Sequence, residues 1–294
     1  MERRRYDMKE LAGQEIGNYR LLRLLEHDSS ASVYFGEQKD NRSWVAVKIM
    51  GIQGENRRIE QWNAETNLLR SLDHPHIVRV RECGIQDSMR FLVTDWAAQG
   101  TLLDLFTKSV PISIVTIFVK QIAYALQYLH TRHIVHRDIK PKNILIEQDS
   151  NVLLADFELA VDYRSCQGIA GTPAYTAPEQ WEGRPCPASD QYALGVLTYQ
   201  WLCGELPFRG SSTEMLLLYR NASFPPLRDK FPLFPYGVDQ VLLTALAKDP
   251  DSRFTNVQTF AEALEQACRS SSYWTPSQIL GVVDSSTERP PVED

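Results

Sequence analysis

Positive charge is in short supply in this chain. Its 31 Lys and Arg stand against 37 Asp and Glu, giving a formal net charge of -6 over 294 residues. Binding along a nucleic acid or an anionic membrane needs clustered positive charge, so no broad surface of either kind is expected. A local phosphate site is untouched by that argument. Cysteine is scarce as well. Cys83, Cys166, Cys186, Cys203 and Cys268 are odd in number and widely spaced, with no Cys-x-x-Cys pair. They fit idle thiols in a reducing, cytoplasmic setting better than a disulfide framework or a zinc site. Long apolar runs are missing too. No window approaches ~20 consecutive apolar residues, so no membrane-spanning helix is expected. Ile112–Val119, for example, is cut by Ser113 and Thr116. The start, Met1 to Arg5, leads into polar sequence without the apolar centre of a secretory signal.

What is present is the material of a core. Hydrophobic residues make up 43% and aromatics 10%, the proportions of a globular protein, with length for one large domain or two modest lobes. Residues 1–18 are polar and mixed and read as an N-terminal arm. From 19 to 95 the pattern is mostly of strands: Tyr19–Leu25, Ser32–Glu37 and Trp44–Met50 are apolar or β-branched runs separated by Asp, Asn, Ser and Gly. One helical stripe interrupts them, through Ile59, Trp62, Glu65, Leu69 and Leu72, and sets Glu65 on or beside its inward face. A carboxylate there requires a cationic partner. From Thr101 onward the pattern is mainly helical, with stripes such as Val115, Phe118, Val119, Ile122, Leu126 and Leu129, so 96–269 reads as a connecting hinge and a larger helical lobe. Residues 270–294 are too rich in Ser, Thr, Pro and Glu to bury much, and read as a disordered tail.

The chemistry-bearing residues form an ordered set. His136-Arg137-Asp138-Ile139-Lys140-Pro141-Lys142-Asn143 is followed by Asp156-Phe157-Glu158; Val45-Ala46-Val47-Lys48 and Glu65 stand upstream, Gly171-Thr172-Pro173 and Ala177-Pro178-Glu179 downstream. In this order and spacing the set resembles the signature of eukaryotic-like Ser/Thr protein kinases of bacteria. The resemblance covers about Tyr19 to Cys268. It implies an α+β, two-lobed kinase fold, with a small antiparallel β-sheet lobe carrying one helix and a larger helical lobe. It also implies transfer of the ATP γ-phosphate to Ser/Thr hydroxyls of proteins, with ATP and Mg²⁺ as cofactors.

Roles follow residue by residue from that resemblance. Lys48 would hold the α- and β-phosphates, itself held by Glu65. Asp138 would orient the substrate hydroxyl and accept its proton, and Lys140 would reach the γ-phosphate and mark Ser/Thr preference. Asn143 and Asp156 would bind Mg²⁺ through hard oxygens. Val33 and Ala46 would cover the adenine from above and Leu145 from below, with backbone bonds from the Asp95-Trp96-Ala97 segment and Thr94 at the rear. Glu179 would pair with Arg253, Asp190 would hold the backbone of His136 and Arg137, and Thr172 would contact Asp138 and Lys140. Relatives of this kind often continue into a membrane anchor and sensor, so the chain reads as either soluble or a fragment.

Two positions depart from the family pattern. The phosphate-covering loop, Gly-x-Gly-x-x-Gly-x-Val in the family, reads Glu26-His27-Asp28-Ser29-Ser30-Ala31-Ser32-Val33 here. All three glycines are gone, although glycine tolerates left-handed backbone and lets N–H groups approach phosphate closely. Two replacements are acidic; a carboxylate ~6 Å from a phosphate costs ~2–3 kcal/mol at an effective dielectric near 20. Weak ATP binding is expected. The second departure is Glu158 where the metal motif has Gly, a residue that resists left-handed backbone. Two function classes therefore stand: a working Ser/Thr kinase with poor ATP affinity, and a pseudokinase acting as a binding or scaffold module. A small-molecule phosphotransferase is disfavoured, because the stretch from Gly171 to Glu179 resembles the peptide platform of protein kinases.

Overall fold

Every second residue of the strand Trp44–Gly51 is turned inward. Val45, Val47 and Ile49 are fully buried, whereas Trp44, Ala46 and Lys48 stay at least partly exposed. A pleated strand sends successive side chains to opposite faces; Val45, Val47 and Ile49 face the main core of the sheet, and Met50 joins a smaller cluster with Ala31. The computed structural model describes residues 8–28, 31–51, 66, 69–87, 89–105, 110–147, 151–165, 168–232 and 234–269. The chain divides into two compact units, one of residues 1–100 with 145–155, the other of 101–144 with 156–294.

The first unit is built on a six-stranded antiparallel sheet. Its strands are β1 (Glu15–Ile16), β2 (Tyr19–His27), β3 (Ala31–Gln38), β4 (Trp44–Gly51), β5 (Val80–Gln86) and β6 (Met89–Asp95), in the order β1-β2-β3-β4-β6-β5. Two register shifts in the β2–β3 ladder, after Leu21 and after Leu24, bend β2 beside its turn. The segment before Tyr19 joins the core: Leu11 and Ile16 are buried with Tyr34, Val47 and Phe91, and Met8 packs against them. The Tyr34 hydroxyl accepts from Leu11 N–H and donates to the Met8 carbonyl, which anchors that segment. Thr66, Leu69 and Arg70 are helical. Glu65, which the motif set requires, lies outside the described residues, as does the tail beyond 269.

The second unit is helical. Helix Ile112–His130 packs on Val257–Arg269 and on Pro187–Cys203. It is 19 residues long and apolar enough to cross a membrane by length and composition, which the broken apolar run did not suggest. Its polar interruptions are absorbed locally, since Thr116 donates its hydroxyl to the Ile112 carbonyl at 2.7 Å. Val115, Val119, Leu126 and Leu129 are fully buried, so the residues of the predicted stripe serve the core of this unit. Helix Pro187–Cys203 is buried almost all round. Pro187 opens it at a position where the missing N–H costs nothing, and Gly204, at φ 80°, closes it in the left-handed cap conformation.

Candidate active site

In the helical unit, strand Ile134–Val135 pairs antiparallel with strand Val161–Asp162. That pairing places the residues following the first strand, 136–143, beside those preceding the second, 156–160. The two motifs far apart in the chain are thereby neighbours. The His136 ring packs edge-on against Phe157, with centroids 4.9 Å apart.

The backbone here is held in an unusual shape by one buried carboxylate. Arg137 has φ 69°, costly for a residue with a side chain. Asp190, 1% exposed, accepts the N–H of His136 on Oδ2 and that of Arg137 on Oδ1, both at 2.9 Å. His130 Nε2 lies 2.8 Å from Oδ2. Burial pushes the Asp190 carboxyl up, but the His130 hydrogen bond and the charges of His130 and His136 outweigh it and hold it below the ordinary value. On the other side, Gln180 Nε2 donates to the carbonyls of Arg137 and Ala170. Gly171 is required beside this clamp. At φ 114°, a Cβ there would stand 2.7 Å from the Arg137 carbonyl oxygen.

Asp138 sits at the centre of the network this backbone presents. It is 7% exposed. Its Oδ1 accepts from the Thr172 N–H at 3.0 Å and the Thr172 hydroxyl at 2.6 Å. Its Oδ2 accepts from Asn143 Nδ2 at 2.9 Å and lies 2.7 Å from Lys140 Nζ. Lys140 also donates to the Thr172 hydroxyl at 2.9 Å. Burial raises the Asp138 carboxyl, yet the bonds from Lys140 and Thr172 and the charges of Lys140 and His136 prevail, so it is held below its usual value. The carboxylate is therefore ionised at neutral pH and fixed in direction.

The same unit carries the candidate cation donors, Asn143 and Asp156. Asn143 also donates Nδ2 to the Asp138 carbonyl, so its amide nitrogen is turned toward Asp138 and its Oδ1 is left for a cation. Asp156 is partly exposed and left-handed, with φ 61° and ψ 72°. An amide oxygen and a carboxylate are the hard donors that Mg²⁺ takes, so the residues present fit that ion. Glu158 does not have to adopt left-handed backbone. It lies in the short helical turn Phe157–Leu159, is exposed, and is absent from the residues with positive φ.

In the sheet unit, the face of β3, β4 and β6 away from the core carries Val33, Ala46, Lys48 and Thr94, all half-buried. Val33 is paired with Lys48 and Ala46 with Thr94 across the ladders. Phe35 continues this face, with the rings of Trp44 and Trp96 at 5.1 Å and 4.8 Å. The Asp95 side chain is held by Arg81. Ala97 is 5% exposed, and its N–H has no hydrogen-bond partner among the described residues. A buried N–H without a partner is unusual, and the polar edge of a nucleobase suits it. Leu145 is half-buried on strand Ile144–Ile146, whose other two residues are buried.

The described residues of the loop without glycines keep ordinary backbone. None of Glu26, His27, Asp28 and Ala31 has positive φ. The strands continue to its base, pairing Glu26 with Val33 and His27 with Ser32, and His27 Nδ1 lies 2.8 Å from the Ser32 hydroxyl. Asp28 N–H donates to the Ala31 carbonyl at 2.9 Å, and Ala31 N–H donates back to Asp28 Oδ1 at 2.9 Å.

Sequence reasoning missed His130, Gln180 and the Asp28–Ala31 bond. His130 ends a helix with no motif around it. Gln180 had only its place next to Glu179 to distinguish it. The Glu179–Arg253 pair is present as two parallel bonds of 2.8 Å.

Comparison with known proteins gives one answer. A family profile described as protein kinase domain matches residues 19–268. The serine/threonine-protein kinase PrkC of Bacillus subtilis is 32% identical over 269 residues, covering 87% of this chain and 42% of PrkC. Serine/threonine-protein kinase Pkn1 of Myxococcus xanthus is also 32% identical, over 87% of this chain and 39% of its own length. The chain thus spans about two fifths of these relatives. Among solved structures, the kinase domain of Mycobacterium tuberculosis PknI superposes with a TM-score of 0.71 at 27% identity, covering 87% of this chain and 98% of that one.

Proposed function

Because the chain belongs to the protein kinase domain family, we propose that it is a working Ser/Thr protein kinase that moves the γ-phosphoryl group of ATP to hydroxyls of proteins and grips ATP weakly. The observation that carries this reading is the fourfold anchoring of Asp138 by Thr172, Asn143 and Lys140. Phosphoryl transfer asks a protein mainly for positioning and charge compensation, and this network supplies both.

Asp138 holds the substrate hydroxyl and takes its proton as the oxygen bonds to phosphorus and the bond to the ADP oxygen breaks. Lys140, anchored on Asp138 and Thr172, offsets charge on the moving phosphoryl group. Lys48, with Glu65, holds the α- and β-phosphates. Asn143 and Asp156 hold Mg²⁺, which when bound compensates the charge of the phosphate oxygens. Val33, Ala46 and Leu145 bracket the adenine, and the backbone of Asp95 and Ala97 reads its edge. A reaction that draws on ATP belongs in the cytoplasm, with protein substrates as its partners.

The missing glycines favour one second reading, a pseudokinase that keeps the fold as a binding module. The deciding experiment is Mg²⁺-dependent transfer of labelled phosphate from ATP to the chain itself and to a generic protein, with Asp138→Asn and Lys48→Met alongside. Transfer in the wild type that both substitutions abolish is the expected result. No transfer, with no ATP binding even at millimolar nucleotide, selects the pseudokinase.

A further inference from the structure

Ala31 occupies the place of the third loop glycine and is 3% exposed, so water does not reach its backbone freely. A buried N–H must find an acceptor. Here the acceptor is a carboxylate, Asp28 Oδ1, at 2.9 Å. A charged oxygen on a backbone N–H at a strand-to-strand turn is the contact a phosphate oxygen would make in this loop, and it is a strong, charge-assisted one.

The side-chain bond is not what closes the turn. Asp28 N–H donates to the Ala31 carbonyl independently of the side chain, and His27 and Ser32 pair just below through backbone register and the Nδ1–Oγ contact. This pairing at the base of the loop does not run through the carboxylate. Neither Asp28 nor Ala31 has the positive φ that would demand glycine. The acidic replacement does something other than crowd the backbone.

We propose that the Asp28 carboxylate is an internal stand-in for a phosphate oxygen: it holds the Ala31 N–H, and nucleotide phosphate has to displace it. This rests on the reading of the chain as an ATP-binding kinase and adds a specific cause for weak grip. The penalty falls on the phosphates and not on the base. Distant repulsion from a carboxylate would be removed by neutralising it. A contested N–H is loosened when the acceptor loses its charge and is fully released only when the acceptor itself is taken away.

The test measures affinity for adenosine and for ATP with Mg²⁺ by calorimetry on wild type, Asp28→Asn and Asp28→Ala. Asparagine keeps an acceptor oxygen for the Ala31 N–H and drops the charge, whereas alanine removes both. Adenosine should bind all three alike. ATP should bind Asp28→Ala about 5–20-fold tighter than wild type, the scale of one charge-assisted contact, with Asp28→Asn between them. Equal tightening by the two variants would leave charge alone as the cause and overturn the proposal. So would unchanged or weaker ATP binding by Asp28→Ala. If neither adenosine nor ATP binds any of the three at millimolar concentration, the kinase reading falls and this proposal with it.

Discussion

The Thr172 hydroxyl lies 2.6 Å from Asp138 Oδ1 and is itself 2.9 Å from Lys140 Nζ, so one side chain links the proposed base to the proposed phosphate-facing cation. Thr172→Val keeps the shape and the backbone bond to Asp138 but deletes both hydroxyl contacts. Its turnover number should fall roughly tenfold or more through loss of alignment, with the Michaelis constant for ATP little changed. Thr172→Ser should retain most activity. Steady-state kinetics of the two variants checks this, and equal rates for Val and wild type would remove Thr172 from the mechanism.

Arg253 is saturated by acceptors: both Glu179 oxygens and the carbonyls of Ala188, Ala247 and Lys248. Its side chain is fully buried and that of Glu179 is 6% exposed. Removing one partner strands the other charge, so Glu179→Ala or Arg253→Met should each cost ~3–5 kcal/mol. The double variant should cost clearly less than the sum. Urea denaturation of the four proteins measures the coupling.

Stability should fail in acid through Asp190 and Asp138. Both carboxyls are lowered from an unfolded value of 3.8. The unfolded chain therefore takes up protons first as pH drops. The stabilisation from these two groups is complete above 3.8 and is lost as pH falls through their lowered folded values. Urea midpoints followed from pH 7 downward should decline below about pH 4. Asp190→Asn should lower the neutral plateau and flatten part of that decline. A decline of unchanged depth in Asp190→Asn would assign it elsewhere.

Activation should not wait for phosphorylation of a threonine between Asp156 and Gly171, because the hydroxyls in that stretch are Tyr163 and Ser165. Arg137, the family's usual receiver of such a phosphate, already donates Nε to the Leu159 carbonyl at 2.6 Å. Ser165→Ala should keep most activity. Mass spectrometry of the active protein together with the Ser165→Ala rate decides the matter, and loss of most activity would refute it.

Substrate choice should show no strong demand for arginine upstream of the acceptor. Kinases with that demand resemble one another in placing acidic residues before the Asn of the catalytic loop and after the hinge, where this chain has Lys142 and Thr101. A peptide array reads this directly. Enrichment of Arg two or three positions before the hydroxyl would contradict it.

The residues around Asp138 were legible in the sequence because their order and spacing resemble the protein-kinase signature, which sets a carboxylate and hard oxygen donors at those places. The alternation of β4 was legible for the same kind of reason, since Val45, Val47 and Ile49 can serve one core-facing side only. Side-chain direction was not. Asp28 reads as a repelling charge by composition, and only the fold shows its oxygen turned onto Ala31. Glu158 reads as a residue that resists the left-handed backbone glycine permits, and the fold does not ask it of this position, which lies in an ordinary helical turn. Leu11 was hidden because a few scattered apolar residues in a polar stretch, Met8, Leu11 and Ile16, show no period to reveal them. Counting uninterrupted apolar residues also under-read helix Ile112–His130, because Ser113 and Thr116 are both buried in it and Thr116 turns its hydroxyl back to the helix.

The aromatic pair on Phe35 gives the chain a built-in optical probe. Trp44 is 49% exposed and Trp96 half-buried, both against the Phe35 ring, and Trp96 immediately precedes the Ala97 N–H. Trp181 and Trp201 belong to the other unit, with indole nitrogens shut away from solvent, and form a steady, blue-shifted background. Intrinsic emission at the red edge should therefore change when a base docks at Ala97, and titrating Trp44→Phe beside Trp96→Phe should assign the change against the chain's other tryptophans, Trp62 and Trp274 included. Nucleotide titrations of every variant above can be run on unlabelled protein in a fluorimeter.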